Sequence, residues 1–162
     1  MRLSPALLCV LLAACGFQLR GTADVPFQTI YLPASSGGIG LELRRNIQAG
    51  TRAKVVDDAK QAEAVLEFTQ EAREKEILSL TGTGRVREFQ LRYRVGFRVH
   101  DGKGREFVPA TTVVLLRDIS FNDTDVLAKE SEEQLLYRDM QSDMVQQILR
   151  RLAVAKPAAE PK

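Results

Sequence analysis

Two kinds of side chain in this sequence are placed to do chemistry: one thiol, Cys15, and a row of guanidinium groups, Arg85, Arg87, Arg92, Arg94 and Arg98. A thiol accepts an acyl group or ligates a metal; a guanidinium presents a planar fork of donors that matches phosphate or carboxylate. What catalysis would otherwise need is sparse. The 162 residues hold one histidine, His100, which sits at a strand end beside a turn and reads as an ordinary exposed residue. No Gly-x-Ser-x-Gly elbow, phosphate-cradling glycine loop or His-x-x-x-His pair occurs. Gly82-Thr83-Gly84 lies between strand-like segments and reads as a turn. The acidic runs Glu71–Glu76 and Glu130–Glu133 read as solvated faces. The expectation is a protein that is not an enzyme, with no metal and no cofactor.

The thiol has a defined setting. Arg2 precedes an apolar run from Leu3 to Leu12, and small residues lead into Cys15. Such a leader is a secretory signal, too short to span a bilayer permanently. Leu12-Ala13-Ala14-Cys15 resembles a lipobox, in which the cysteine is both the cleavage position and the acyl acceptor. On that reading residues 1–14 are a lipoprotein signal peptide, and the mature chain hangs from a membrane by Cys15. The alternative is an ordinary secretory signal that happens to end near a cysteine.

Removal of residues 1–14 leaves 148 residues, enough for one domain with a real core. Arg2 is the one charge lost, so 22 basic residues face 21 acidic ones. This balance gives no reason to expect nucleic acid. With Cys9 removed and Cys15 acylated, no thiol remains for a disulfide, so the exported domain depends on its hydrophobic core.

The elements that must position the arginines follow from periodicity. Phe17 and Leu19 alternate with polar neighbours as a short strand just after Cys15. Gln28–Pro33 is a second strand, bounded by prolines. Ile39, Leu43 and Ile47 form a helical stripe, with Gly50 as its expected cap. Val55–Asp57 is a short strand, and Leu66 and Phe68 open another that runs into the charged stretch Glu71–Glu76. From Phe89 to His100 apolar and polar residues alternate strictly, placing Arg92, Arg94 and Arg98 on one face. Asp101–Gly104 is a hairpin turn, and a strand returns from Glu106 to about Phe121, with Pro109 marking an edge or bulge. Ser131-Glu132-Glu133-Gln134 has capping-box spacing, which predicts a helix over 132–154 with Ser131 as N-cap. Residues 155–162 lack core-forming side chains and read as a disordered tail. The fold expected is α+β, a two-layer sandwich of two amphipathic helices on a mainly antiparallel sheet over residues 15–154.

The segment Cys15-Gly16-Phe17-Gln18-Leu19-Arg20-Gly21 resembles the mature N-terminus of the LptE family of lipopolysaccharide-assembly lipoproteins. The likeness extends along the mature chain and is strongest at residues 15–21, 88–91 and 127–134. It implies the same order of elements, residence in the outer membrane, and a non-enzymatic role. It also implies a β-barrel partner, LptD, which the domain partly plugs, and binding of lipopolysaccharide through basic residues. Leu127-Ala128-Lys129 matches a family segment, and ligand contact is carried to Lys129 on that match. A second family basic residue falls near Gly82, where Arg85 or Arg87 stands close enough to substitute. Gly16, in place of an aspartate, favours passage to the outer membrane.

For the arginine row two readings stand at this point. Arg87, Arg92, Arg94 and Arg98, with Arg85 at the strand's entry, line a patch that binds phosphate, or they pair across strands with Glu67, Glu71 and Glu106. Two further functions compete with the barrel partner: a lipoprotein that carries a lipid in an internal cavity, and a scaffold of another envelope complex with no ligand.

Overall fold

The computed structural model describes residues 25–33 and 37–156. The expected signal peptide, Cys15, the strand at Phe17–Leu19 and the tail from residue 157 lie outside the described residues. The elements are β1 (Thr29–Tyr31), α1 (Gly37–Gly50), β2 (Lys54–Val56), a 3₁₀ turn (Ala59–Gln61), β3 (Ala64–Leu80), β4 (Val86–His100), β5 (Glu106–Ser120) and α2 (Val126–Ala153). The sheet has five strands in the order β2-β1-β3-β4-β5. β3, β4 and β5 are antiparallel, while β1 runs parallel to both β2 and β3. This is the mainly antiparallel α+β sandwich expected from the sequence.

Alternation along β4 decides the layering. Leu91, Tyr93, Val95, Phe97 and Val99 are all fully buried, and each full burial of a large side chain is worth about 1.5–3 kcal/mol. Successive side chains of a strand point to opposite faces, so Arg92, Arg94 and Arg98 are carried to the other side. Ile39, Leu43 and Ile47 of α1, and Met140, Met144, Val145, Ile148 and Leu152 of α2, close over the apolar face. The two helices lie side by side, joined by hydrogen bonds from Gln141 Nε2 and Ser142 Oγ to the carboxylate of Glu42, both at 2.7 Å.

The strand opened by Leu66 and Phe68 takes the charged stretch Glu71–Glu76 into its middle, and every residue from Glu71 to Ile77 has a partner in β4. The ladder satisfies the backbone, and alternation sends Arg73 and Lys75 towards α2 while Glu74 and Glu76 face outwards. Ser131 is not an N-cap: α2 begins at Val126 behind Asp125, and the Ser131 hydroxyl donates to the Leu127 carbonyl at 3.0 Å. The single turn expected at Val126–Lys129 is continuous with the long helix. Gly50 closes α1 without a positive φ; the N–H and hydroxyl of Thr51 both donate to the Ile47 carbonyl, at 3.0 and 2.8 Å.

Pro109 lies in the edge strand, as expected. The β4–β5 register breaks between Phe97 and Val99, so the ladder needs no N–H from it. Ala155 is buried against the core, so packing runs one residue beyond the expected boundary at 154. A second irregularity, between Phe68 and Gln70, tucks Thr69 against Gly96. A Cβ on Gly96 would meet Thr69 Oγ1 at 2.5 Å.

Two outcomes follow for thermal or denaturant unfolding. Gly96→Ala destabilises the protein by about 1–3 kcal/mol through overpacking, and Thr69→Ala in the same chain restores most of the loss. Ser131→Ala changes stability by less than about 0.5 kcal/mol, because a mid-helix serine lacks the capping role that would cost more.

Candidate functional site

The sheet has two ends. At its tip are the β3–β4 turn, the end of β5 and the start of α2. At its base are β1, β2, the β4–β5 hairpin and the end of α2. The arginines singled out in the sequence divide between the tip and the open face of the sheet, so the structure does not bring all of them together.

At the tip, Arg85 reaches Asp123 at 3.4 Å and Arg87 reaches Glu88 at 3.2 Å. The Glu88 carboxyl is held below its usual range, chiefly by the Ser79 hydroxyl that donates to it and then by Arg87. Lys129 Nζ donates to Ser120 Oγ at 3.0 Å and to Glu132 at 2.9 Å, bridging the end of β5 to the first turns of α2. Lys75, on the neighbouring part of β3, pairs with Glu133 at 2.6 Å and stands 4.3 Å above the Phe89 ring. Between Lys75 and Lys129 lies a cavity of about 240 Å³ with an apolar floor that includes Phe89, Ile119 and Phe121. Phe89 and Phe121 meet edge to face, 5.3 Å apart.

Exposed aliphatic side chains surround these cations. Leu127 is 80% exposed, Ile77 59% and Leu80 54%. Exposed apolar residues so closely placed mark a surface that meets something apolar. The tip therefore combines cationic groups, an apolar cavity and protruding aliphatic groups. Sequence reading found Lys129, Arg85 and Arg87 but missed Lys75, Phe89, Phe121 and Leu127 as one group. These residues come from two strands, the connection after β5 and a helix, and the only local hint was an apolar residue, Leu127, at a helix start.

Arg92 and Arg94 occupy the open face instead. Arg92 lies 3.3 Å from Glu74 and 3.0 Å from Glu76, and Arg94 lies 3.7 Å from Glu74. Val114 and Leu116 stand beside them in register, each 45% exposed. Arg98 pairs with Glu67 at 2.6 Å, as the cross-strand reading anticipated. The other two carboxylates named there go elsewhere. Glu71 faces the helices and accepts from the Tyr93 hydroxyl at 2.7 Å, and Glu106 lies opposite His100. Burial, and then that bond to Glu71, push the Tyr93 pKa well above the usual phenol range.

His100 is not the exposed residue the sequence suggested; its side chain is 18% exposed. Its Nδ1 accepts from the Gly102 N–H at 2.9 Å, and its Nε2 lies 3.1 Å from Glu67 Oε1. The imidazole thus fixes the β4–β5 turn, where Gly102 and Gly104 adopt positive φ. The Glu67 carboxyl is held below its usual range, first by its bond to Arg98 and second by His100. A carboxylate depressed in the folded state contributes stability above its unfolded pKa and loses it as pH falls through the folded one. Arg98→Gln removes the leading cause, so the Glu67 midpoint rises and less stability is lost across the acid range. Side-chain carboxyl shifts followed by nuclear magnetic resonance during an acid titration check this; an unmoved midpoint contradicts it.

Among the described residues no helix is long and apolar enough to cross a membrane. Comparison with known proteins points one way. The sequence model of the family described as LptE, lipopolysaccharide-assembly, matches residues 27–152. An LPS-assembly lipoprotein LptE from Pectobacterium atrosepticum is 28% identical over 155 residues, covering 93% of this chain and 83% of the relative. One from Yersinia pestis (strain Pestoides F) is 31% identical over 155 residues, covering 93% and 73%. Among solved structures, lipoprotein B from Nitrosomonas europaea superposes with a TM-score of 0.72 at 47% identity, over 83% of this chain and 88% of that one. The rare lipoprotein B from Shewanella oneidensis gives 0.67 at 28% identity, over 77% and 93%. With the family pattern running through both helices and all five strands, the chain belongs to the LptE family of lipopolysaccharide-assembly lipoproteins.

Proposed function

We propose that this protein is an outer-membrane lipoprotein, acylated at Cys15, that sits within a β-barrel partner of the LptD type and binds lipopolysaccharide at the tip of its sheet. The observation that carries the ligand reading is the tip itself. A phosphorylated glycolipid presents anionic phosphates next to acyl chains, and Lys129, Arg85 and Arg87 stand next to Leu127, Ile77, Leu80 and the phenylalanine-floored cavity. The ion pairs there are surface pairs of small net value, so exchange of a carboxylate for a phosphate costs little. Arginine then gives bidentate contact and lysine a point charge. Membership of a lipopolysaccharide-assembly family supports the same ligand.

Two features favour a barrel lumen. The open face carries compensated charge, Arg92 and Arg94 with Glu74 and Glu76, which suits the polar, hydrated interior of an outer-membrane barrel. The 15 residues of β4 span about 50 Å, close to the ~40–45 Å of a bilayer with its headgroups. A domain anchored at the inner leaflet and standing in a lumen would bring its tip to the level of the outer headgroups. The protein's part is physical: it holds and orients the glycolipid and catalyses nothing.

Charge reversal at Lys129 together with Arg85 lowers lipopolysaccharide affinity about ten-fold or more, on the scale of ~1.5–3 kcal/mol for a charge-assisted bond, while the same change at Arg92 and Arg94 leaves it within about two-fold. Equal loss from both pairs contradicts a tip site. Co-expression with the LptD-type barrel and purification in detergent tests the partner; separation of the two chains speaks against it.

A further inference from the structure

We propose that the outer edge of β5 is a strand-addition site, which pairs with an extended segment of the barrel partner's chain that is apolar on both faces. The proposal rests on the barrel reading of the proposed function. β5 is one edge of the sheet and is 15 residues long, whereas the opposite edge is the three-residue β2. Among the described residues no strand pairs with the outer side of β5.

Two hydrogen bonds show which backbone groups face outwards. The Phe121 N–H donates to the Arg87 carbonyl at 2.8 Å, and the β4–β5 register continues unbroken from there back to Thr111. In an antiparallel ladder, residues that bond the neighbouring strand alternate with residues that do not. Val113, Leu115, Arg117 and Ile119 therefore bond β4, while Thr112, Val114, Leu116 and Asp118 turn their N–H and C=O groups away from it. The Leu116 carbonyl agrees with this, because the Arg117 guanidinium reaches it and donates at 3.0 Å.

A row of unpaired backbone groups is a template for another strand, and proteins blunt such edges with charge, proline or a bulge. The base half of β5 has two of these devices, Pro109 and the register break beside it. From Thr111 to Leu116 there is none, and no residue between Glu106 and Arg117 carries a charge. The side chains there state what fits. Val114 and Leu116 stand exposed on the open face, and Val113 and Leu115 lie on the helix side, opposite Val95 and Tyr93. An added segment with apolar residues on both faces meets both pairs. Val114 and Leu116 also lie in register with Arg94 and Arg92, so the edge continues the face that the barrel reading turns to the lumen. The wall strands of a closed barrel are already paired with one another, so the added segment is a loop or terminal stretch that reaches inwards.

Amide hydrogen exchange at single-residue level tests this on the full-length protein, alone in detergent and co-purified with the LptD-type barrel. In the complex the outward amides of Thr112, Val114 and Leu116 exchange about five-fold or more slowly, while Val113 and Leu115, already bonded to β4, change less. Val114→Pro removes one outward N–H and no bond to β4, a change that an edge strand tolerates, and it lowers the yield of co-purified barrel about five-fold. The exchange pattern of the unaltered chain needs no variant, so the test does not depend on how Val114→Pro folds. Unchanged exchange at the three outward amides of an intact complex overturns the strand site and leaves the barrel reading standing. Equal slowing of odd and even residues is burial without pairing and overturns it too. Slowing of the same amides in the protein alone as its concentration rises assigns the edge to a second copy, which also overturns it. Failure of the unaltered chain to co-purify with the barrel overturns both readings.

Discussion

The rest of the structure depends on one constraint: a strand turns its side chains alternately to opposite faces, and β4 sorts its residues strictly by that rule. Five consecutive odd-numbered residues, Leu91 to Val99, are buried, and of the even-numbered ones from Gln90 to His100 all but Gly96 carry charge or polarity. A slip of one residue would put three arginines into the core and the apolar set into water. The register with β3 and β5 is therefore strongly specified. Both neighbouring strands follow it, and one face of the sheet remains for the two helices.

Charge is divided accordingly. On the helix side, Arg73 and Lys75 lie over aromatic rings and reach Gln141 and Glu133 of α2, while the Tyr137 hydroxyl donates to the Glu74 carbonyl. These bonds fix the helix along the sheet without burying an unpaired charge. On the open side, cross-strand pairs neutralise the surface. What remains uneven is the tip, where cations stand beside exposed aliphatic groups, separated from the base by the length of the longest strands.

Under the proposed function, that separation keeps the tip a fixed distance from the end where the chain enters the sheet, and long, well-registered strands do this with few residues. Each rises about 3.3 Å per residue, against 1.5 Å for a helix, so three strands of 15–17 residues set a fixed distance between the ends.

Local periodicity fixed much of this from sequence alone. The alternation from Phe89 to His100, the Asp101–Gly104 turn, the stripes of both helices and the α+β layering depend on spacings within about ten residues. Tertiary structure alone decided which charges meet. Arg92 chose Glu74 and Glu76 because of a β3–β4 register that the sequence does not display, and Glu71 was lost to Tyr93 by facing the other layer. Ser131 looked like a cap because its spacing was right, yet the helix begins five residues earlier at Val126, where the Lys129 N–H already donates to the Asp125 carbonyl and the Lys129 ammonium to Ser120. The tip, assembled from residues between positions 75 and 133, and the base, from residues between 25 and 107, exist only once the strands are paired. Backbone geometry writes the first kind of information into neighbouring residues; ion pairs and cavities depend on distances across the fold, which no short stretch of chain contains.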